Sequence, residues 1–149
     1  MIQRIQSLYL LIASGAFSSL FALPFLTTTS NNAATTVPQM ADGNLNLFDN
    51  IGLMGLTVLT TAIALASIFL YKNRNLQGKI AGLGILTGAL LLILAAIATQ
   101  GVRSAIPSDG TVQFGLGWGA PVVGAVLLWL ASRAIQKDER LVRSMDRLR

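Results

Sequence analysis

The chain has 149 residues, 53% of them hydrophobic and 11% charged, with a mean hydropathy of +0.64 and a formal net charge of +5. Soluble domains carry about 25% charged residues, so this composition excludes an ordinary water-soluble globule, and the length allows one domain. With no cysteine and no histidine, disulfides and thiolate sites are excluded, and the commonest general base and metal ligand are missing.

A bilayer core is about 30 Å thick, so a spanning helix needs roughly 20 apolar residues. The first such run is Ser7 to Leu26, SLYLLIASGAFSSLFALPFL, preceded by Arg4. It is longer than a signal-peptide core of about 7–15 residues and no A-x-A site follows, so it is expected to remain as a span. The connector from Thr27 to Asn50 has no Lys or Arg but has Asp42 and Asp49. Within it, DGNLN sets Asp42, Asn44 and Asn46 at the spacing of a calcium loop. The turn glycine is displaced, however, and Leu53 stands where the closing Glu belongs. The stretch therefore reads as a polar connector with a turn.

The second run is Ile51 to Tyr71, and the basic connector KNRNLQGK follows with Lys72, Arg74 and Lys79. The third run, Ile80 to Thr99, contains Gly84 and Gly88 in a G-x-x-x-G spacing; Gly78 with Gly82 and Gly115 with Gly119 repeat it. Small residues so spaced let helices approach closely in lipid. The plain reading is packing within one bundle, and the sharper one is a face for another membrane subunit. The connector Gln100 to Thr111 has Arg103 and Asp109. From Val112 to Gly119 apolar residues alternate with Gln113, Gly115 and Gly117, a strand period. NLNLF in the first connector alternates too, which suggests a short β pairing between the two connectors; the alternative is that Val112 to Gly119 forms the frayed top of a helix. Pro121 suits the first turn of a helix, which puts the fourth span at about 120–136.

Ten of the eleven basic residues fall on one side of a four-span arrangement, and Arg103 is the exception. The positive-inside rule makes that side cytoplasmic, with both termini on it. Ser14, Ser18, Ser19, Thr57, Thr60 and Thr61 are the hydroxyls that could line a polar path. Such groups more often bond back to their own helix or join neighbours. No ionisable residue lies at mid-membrane depth, which disfavours ion coupling. No H-E-x-x-H, P-loop or G-x-S-x-G is present, so no catalytic, cofactor or metal residue is expected.

The tail, residues 137–149, holds eight of the seventeen charges. Extended as a helix from the fourth span, it places Ala134, Leu141, Met145 and Leu148 on one stripe and Arg133, Arg140 and Arg147 on the next. Glu139 and Arg143 stand i, i+4 in the favourable order. Three fates compete: anionic lipid, RNA including the ribosome, or a protein. From Arg133 onward six basic residues meet Asp138, Glu139 and Asp146, a net of +3. Mixed signs favour a protein partner, and no aromatic residue interleaves for base stacking. The residues expected to carry the contact are Arg133, Lys137, Arg140, Arg143, Arg147, Arg149, Leu141 and Met145.

The stretches MIQRIQSLYLLIA and ASRAIQKDERLVRSMDRLR resemble the termini of a family of small Bacteroidota membrane proteins, catalogued as a domain of unknown function. The close resemblance covers 32 residues, and Ser132 and Met145 depart from it where Asn and Ala are expected. It implies a four-span protein with cytoplasmic ends and supplies no catalytic residues.

The expectation is thus an all-α membrane protein of four transmembrane helices in one domain, 1–149, with a C-terminal amphipathic helix continuing from the fourth span. It is a multi-pass inner-membrane protein, in contact with membrane lipid and other membrane subunits, without enzymatic activity and without DNA binding. Its expected role is accessory or scaffold subunit of a larger complex, with the tail on a cytoplasmic protein or the ribosome. The alternative is a small channel or transporter for a neutral solute.

Overall fold

A computed structural model gives the fold and describes residues 2–28, 37–71, 73–106 and 111–146, with side chains over 5–28, 37–71, 73, 75–106 and 111–142. Its main elements in chain order are α1 (Ile2–Ser18), β1 (Leu26–Thr28), β2 (Asn44–Leu45), α2 (Ile51–Phe69), α3 (Arg74–Ala105), β3 (Val112–Phe114) and α4 (Gly119–Asp146). Each helix packs on its sequence neighbours and α1 closes the ring against α4. The three strands form a small antiparallel sheet, ordered β2-β1-β3, between the end of α1 and the starts of α2 and α4. Among the described residues, three helical segments are long and apolar enough to cross a membrane: Ile51–Phe69, Asn75–Ala105 and Leu116–Val142. The segment Ile5–Phe21 is apolar but shorter.

The helix ends follow from local chemistry and differ from the ends of the oily runs. The first run is helical only to Phe21, through a 3-10 turn at Ser19–Phe21, and Leu26 already belongs to β1. Pro24 cannot donate a helical hydrogen bond, and its carbonyl instead accepts from Gly117 N–H at 2.9 Å. Helix α2 starts where Asn50 Oδ1 accepts from Gly52 and Leu53 N–H at 3.0 and 3.3 Å, satisfying amide donors that have no partner within the helix. Asn50→Ala is expected to cost about 1 kcal/mol, and Asn50→Asp to retain most of it, as read from thermal melts in detergent.

The helix that carries the third oily run reaches well past 80–99. Asn73 Oδ1 caps it by accepting from Leu76 N–H at 3.2 Å, and it ends where Ile106, the residue before Pro107, turns extended with φ −83 and ψ 132. At 32 residues, α3 is about 48 Å long and outreaches a bilayer core of about 30 Å.

The expected β pairing exists with one correction. Val112–Phe114 does not meet NLNLF directly. Residues 26–28, the end of the first oily run and the start of its connector, lie between them: Thr27 is opposite Gln113 on one side and Asn44 on the other. The third strand ends at Phe114 because Gly115 and Gly117 turn their amides onto Phe25 O and Pro24 O, both at 2.9 Å. A 3-10 turn, Leu116–Trp118, then leads into α4. Gly115 and Gly119 therefore form no helix–helix seam: Gly115 lies against the Pro24 backbone, and nothing lies within 4 Å of a Cβ at Gly119.

The centre of the bundle is organised by Phe17, which is fully buried. A Cβ at Gly124 of α4 would stand 2.7 Å from its ring, and one at Gly88 of α3 would stand 3.2 Å away. Gly84 faces Ile63 of α2 and Leu128 of α4, both at 3.2 Å from a Cβ there. Gly84 and Gly88 thus point into the bundle, where their missing side chains make room for neighbours on other helices.

Candidate functional site

Away from the sheet, two buried glutamines tie the helices together. Gln6 of α1 donates through Nε2 to Ala134 O of α4 at 3.1 Å. Gln77 of α3 donates to Ser67 O, in the last turn of α2, at 3.0 Å. That carbonyl has no later amide of its own helix to accept from, so Gln77 closes the α2–α3 hairpin. Sequence reasoning missed both glutamines. The signal was an amide side chain at the edge of an oily run: Gln77 satisfies a helix-end carbonyl, while Gln6 adds a second donor to a carbonyl inside α4.

Beyond this layer α4 continues without interruption to Asp146. As far as Asp146 the tail is one helix with the fourth oily run, as the periodicity predicts. An open groove of about 580 Å³ runs along it, lined by Arg133, Gln136, Lys137, Arg140 and Leu141. Four of the expected contact residues are therefore brought together: Arg133, Lys137, Arg140 and Leu141. The side chains of Arg143 and Met145, and the whole of Arg147 and Arg149, lie outside the described residues. The Arg133 guanidinium sits 3.9 Å above the Trp129 ring one turn earlier, a cation–π contact that holds it at the groove's lower edge. Trp129 also went unnoticed in the sequence. An aromatic residue four positions before an arginine on an exposed helical face was the available signal.

The opposite end of the bundle holds different chemistry. Arg103, the one basic residue against the topological trend, lies in the last turn of α3, where cations suit the helix dipole. Its guanidinium is 5.1 Å from the Phe114 ring centre. Phe114 and Phe25 both meet the Trp118 ring edge-on, at 6.1 and 6.2 Å. A small cleft of about 130 Å³ lies among Ala96, Thr99, Gln100, Arg103, Phe114 and Trp118.

In the connector, Asp42 accepts from the Asn44 amide at 3.1 Å and from Asn46 Nδ2 at 2.9 Å, while Asp49 accepts from the Asn46 amide at 2.6 Å. The loop's carboxylates thus bind its own amides, and Gly43, at φ +76, makes the turn. Among the described residues no cluster of metal-ligating side chains is found.

Of the six hydroxyls that could line a polar path, three bond backward: Ser14 to Leu11 O, Ser19 to Ala16 O and Thr60 to Leu56 O, at 2.7–2.8 Å. Thr57 and Thr61 keep buried hydroxyl oxygens without a partner, and Phe17 fills the space between the helices at mid-bundle.

The helices, their apolar lengths and the cationic end of α4 define a helical bundle of membrane-protein character. The chain belongs to the family described as Domain of unknown function (DUF4293), whose model matches residues 2–148. Neither a curated protein nor a solved structure matches it.

Proposed function

We propose that this chain is a multi-pass inner-membrane protein of a Bacteroidota cell that crosses the bilayer four times with both termini in the cytoplasm. It has no catalysis of its own and acts as an accessory or scaffold subunit of a larger membrane assembly. The observation that carries the membrane reading is the outer surface. All four helices expose large apolar side chains, among them Leu8 and Leu11, Val58 and Leu59, Leu86 and Leu90, and Val122 and Val126. A soluble bundle keeps contiguous apolar patches to a few hundred Å², whereas lipid removes that cost on every side. Helix α1 and its 3-10 turn together reach about 32 Å, enough for a fourth crossing of a core about 30 Å thick.

Orientation rests on charge. Lys79, Arg133, Lys137 and Arg140 lie on the elements away from the sheet, whereas Asp42 and Asp49 lie in the connector that feeds the sheet. Arg103 is accommodated by its ring contact and helix end. Because the chain has no cysteine, single cysteines report topology cleanly. Asp42→Cys is expected to react with a membrane-impermeant maleimide on intact spheroplasts, and Lys79→Cys only after lysis. Labelling of both from outside, or the reverse pattern, overturns the arrangement.

The subunit role rests on the projecting part of α4, which offers cations and exposed Leu141 and Val142 beyond the span. Full-length protein in mild detergent is expected to retain a partner at fixed stoichiometry and to lose it when Arg143 and Arg147 become Ala. A chain that runs alone and moves a neutral solute in liposomes would instead establish the channel reading. That reading requires Phe17 to leave the slot between Gly88 and Gly124.

A further inference from the structure

We propose that the groove on α4 between Arg133 and Arg140 binds the phosphodiester headgroup of an anionic phospholipid. The inference rests on the membrane reading above and goes beyond the subunit role, which concerns the tail further out. The cations are disposed by helical phase. At about 100° per residue, Arg133, Gln136 and Lys137 all fall within about 60° of Arg140, and all four side chains are exposed. Two guanidiniums and an ammonium around one groove give a phosphate two planar donor forks and a point charge, with Gln136 adding an amide donor.

The same face continues downward as an apolar track. Val122, Val126 and Trp129 lie within about 40° of the Arg140 direction and are 48%, 52% and 44% exposed. Apolar residues below, a tryptophan at the boundary and cations above match a phospholipid: chains, glycerol region and headgroup in that order. A cytoplasmic protein would meet the cations but leave the track below Trp129 unused, so the continuity of the face favours lipid.

Asp138 and Glu139 do not oppose this. Asp138 lies about 160° and Glu139 about 100° from Arg140 around the helix, and neither lines the groove. The net charge of the segment understates the charge of this face.

Native mass spectrometry of full-length protein, exchanged between phosphatidylglycerol and phosphatidylcholine in detergent, tests the proposal. The protein is expected to retain phosphatidylglycerol in preference to phosphatidylcholine. Arg133→Gln, Lys137→Gln and Arg140→Gln together should reduce that preference by about tenfold or more, because basic residues near the surface are what attract an anionic lipid. Lys137→Gln alone should give a smaller loss, and Lys79→Gln, on α3, none. Equal retention of the two lipids, or an unchanged preference in the triple variant, overturns the site. Displacement of the lipid by millimolar inorganic phosphate would make it a free-anion site. Loss of a co-purifying protein from the triple variant, with lipid retention unchanged, would make it a protein-docking face. Carbonate washing separates the two levels: a chain that stays in the membrane yet shows no lipid preference sinks only this inference, and a chain that washes off sinks the membrane reading.

Discussion

Gly124→Val is expected to destabilise the bundle by about 3 kcal/mol, at the upper end of what overpacking a core costs. A Cβ there would stand 2.7 Å from two carbons of the Phe17 ring, well inside contact distance. Normally an aromatic ring relieves such a clash by tilting away. Here the adjoining edge of the ring already meets α3, with its Cζ 3.2 Å from where a Cβ at Gly88 would be, and Phe17 has no exposed side toward which to move. Phe17→Ala should be costly in the other direction, about 3–5 kcal/mol, through the cavity left between α1, α3 and α4. The two sites touch, so their effects should not add. Phe17→Leu with Gly124→Ala is expected to be more stable than the sum of the single changes by about 0.5–3 kcal/mol. Unfolding in mixed detergent micelles measures all four states. Gly82→Ala is the control: nothing lies within 4 Å of its Cβ, and alanine is the better helix former by about 1 kcal/mol. If Gly124→Val melts with the parent while Gly82→Ala does not, the ring is not confined as described.

How much of this was legible in the sequence depends on how locally each feature is encoded. The oily runs were plain, because these helices are apolar on their outer faces as well as their inner ones. The start of α4 was legible to within a residue from Pro121. The helix ends at Phe21 and Ala105 were not, because polar residues such as Gln100 continue a helix once it has left the apolar region. The alternation at Val112 marked a strand, but its partner was hidden: Leu26–Thr28 straddles the end of an oily run and is too short to show a period. Gly84 and Gly88 were visible as a pair, whereas Gly124, which makes the tighter contact with Phe17, belongs to no spaced motif. For the groove, residue types were legible and their arrangement only in part. Counting charges mixed Asp138 and Glu139 with the arginines; following the helical phase around α4 separates them.

The second large effect is expected where α4 is joined to α1 through the backbone. Gly117→Val should detach the turn before α4 from the end of α1, at a cost of about 3 kcal/mol. This combines about 1 kcal/mol for each of two hydrogen bonds with the clash of the new side chain. A Cβ at Gly117 would sit 2.6 Å from Pro24 O and 3.0 Å from Leu23 O. These are backbone atoms, which cannot rotate aside as a side chain does. Gly115 is held in the same way, its missing Cβ directly against the Pro24 carbonyl. Displacing either residue removes both amide bonds to Pro24 and Phe25 and frees the Trp118 ring from its edge-on contacts with Phe25 and Phe114. In a Trp129→Phe background, where Trp118 is the remaining tryptophan, its fluorescence should shift and amide exchange at Leu26–Thr28 should accelerate. Gly119→Ala, two residues on and facing open space, should change neither. The groove near Arg133 lies about 24 Å further along α4, taking 1.5 Å per residue from Gly117. Lipid retention there should therefore survive Gly117→Val if the far half of the bundle is held independently by Gln6 and Gln77. Loss of retention together with the Trp118 shift would mean that the sheet end and the cationic end unfold as one cooperative unit.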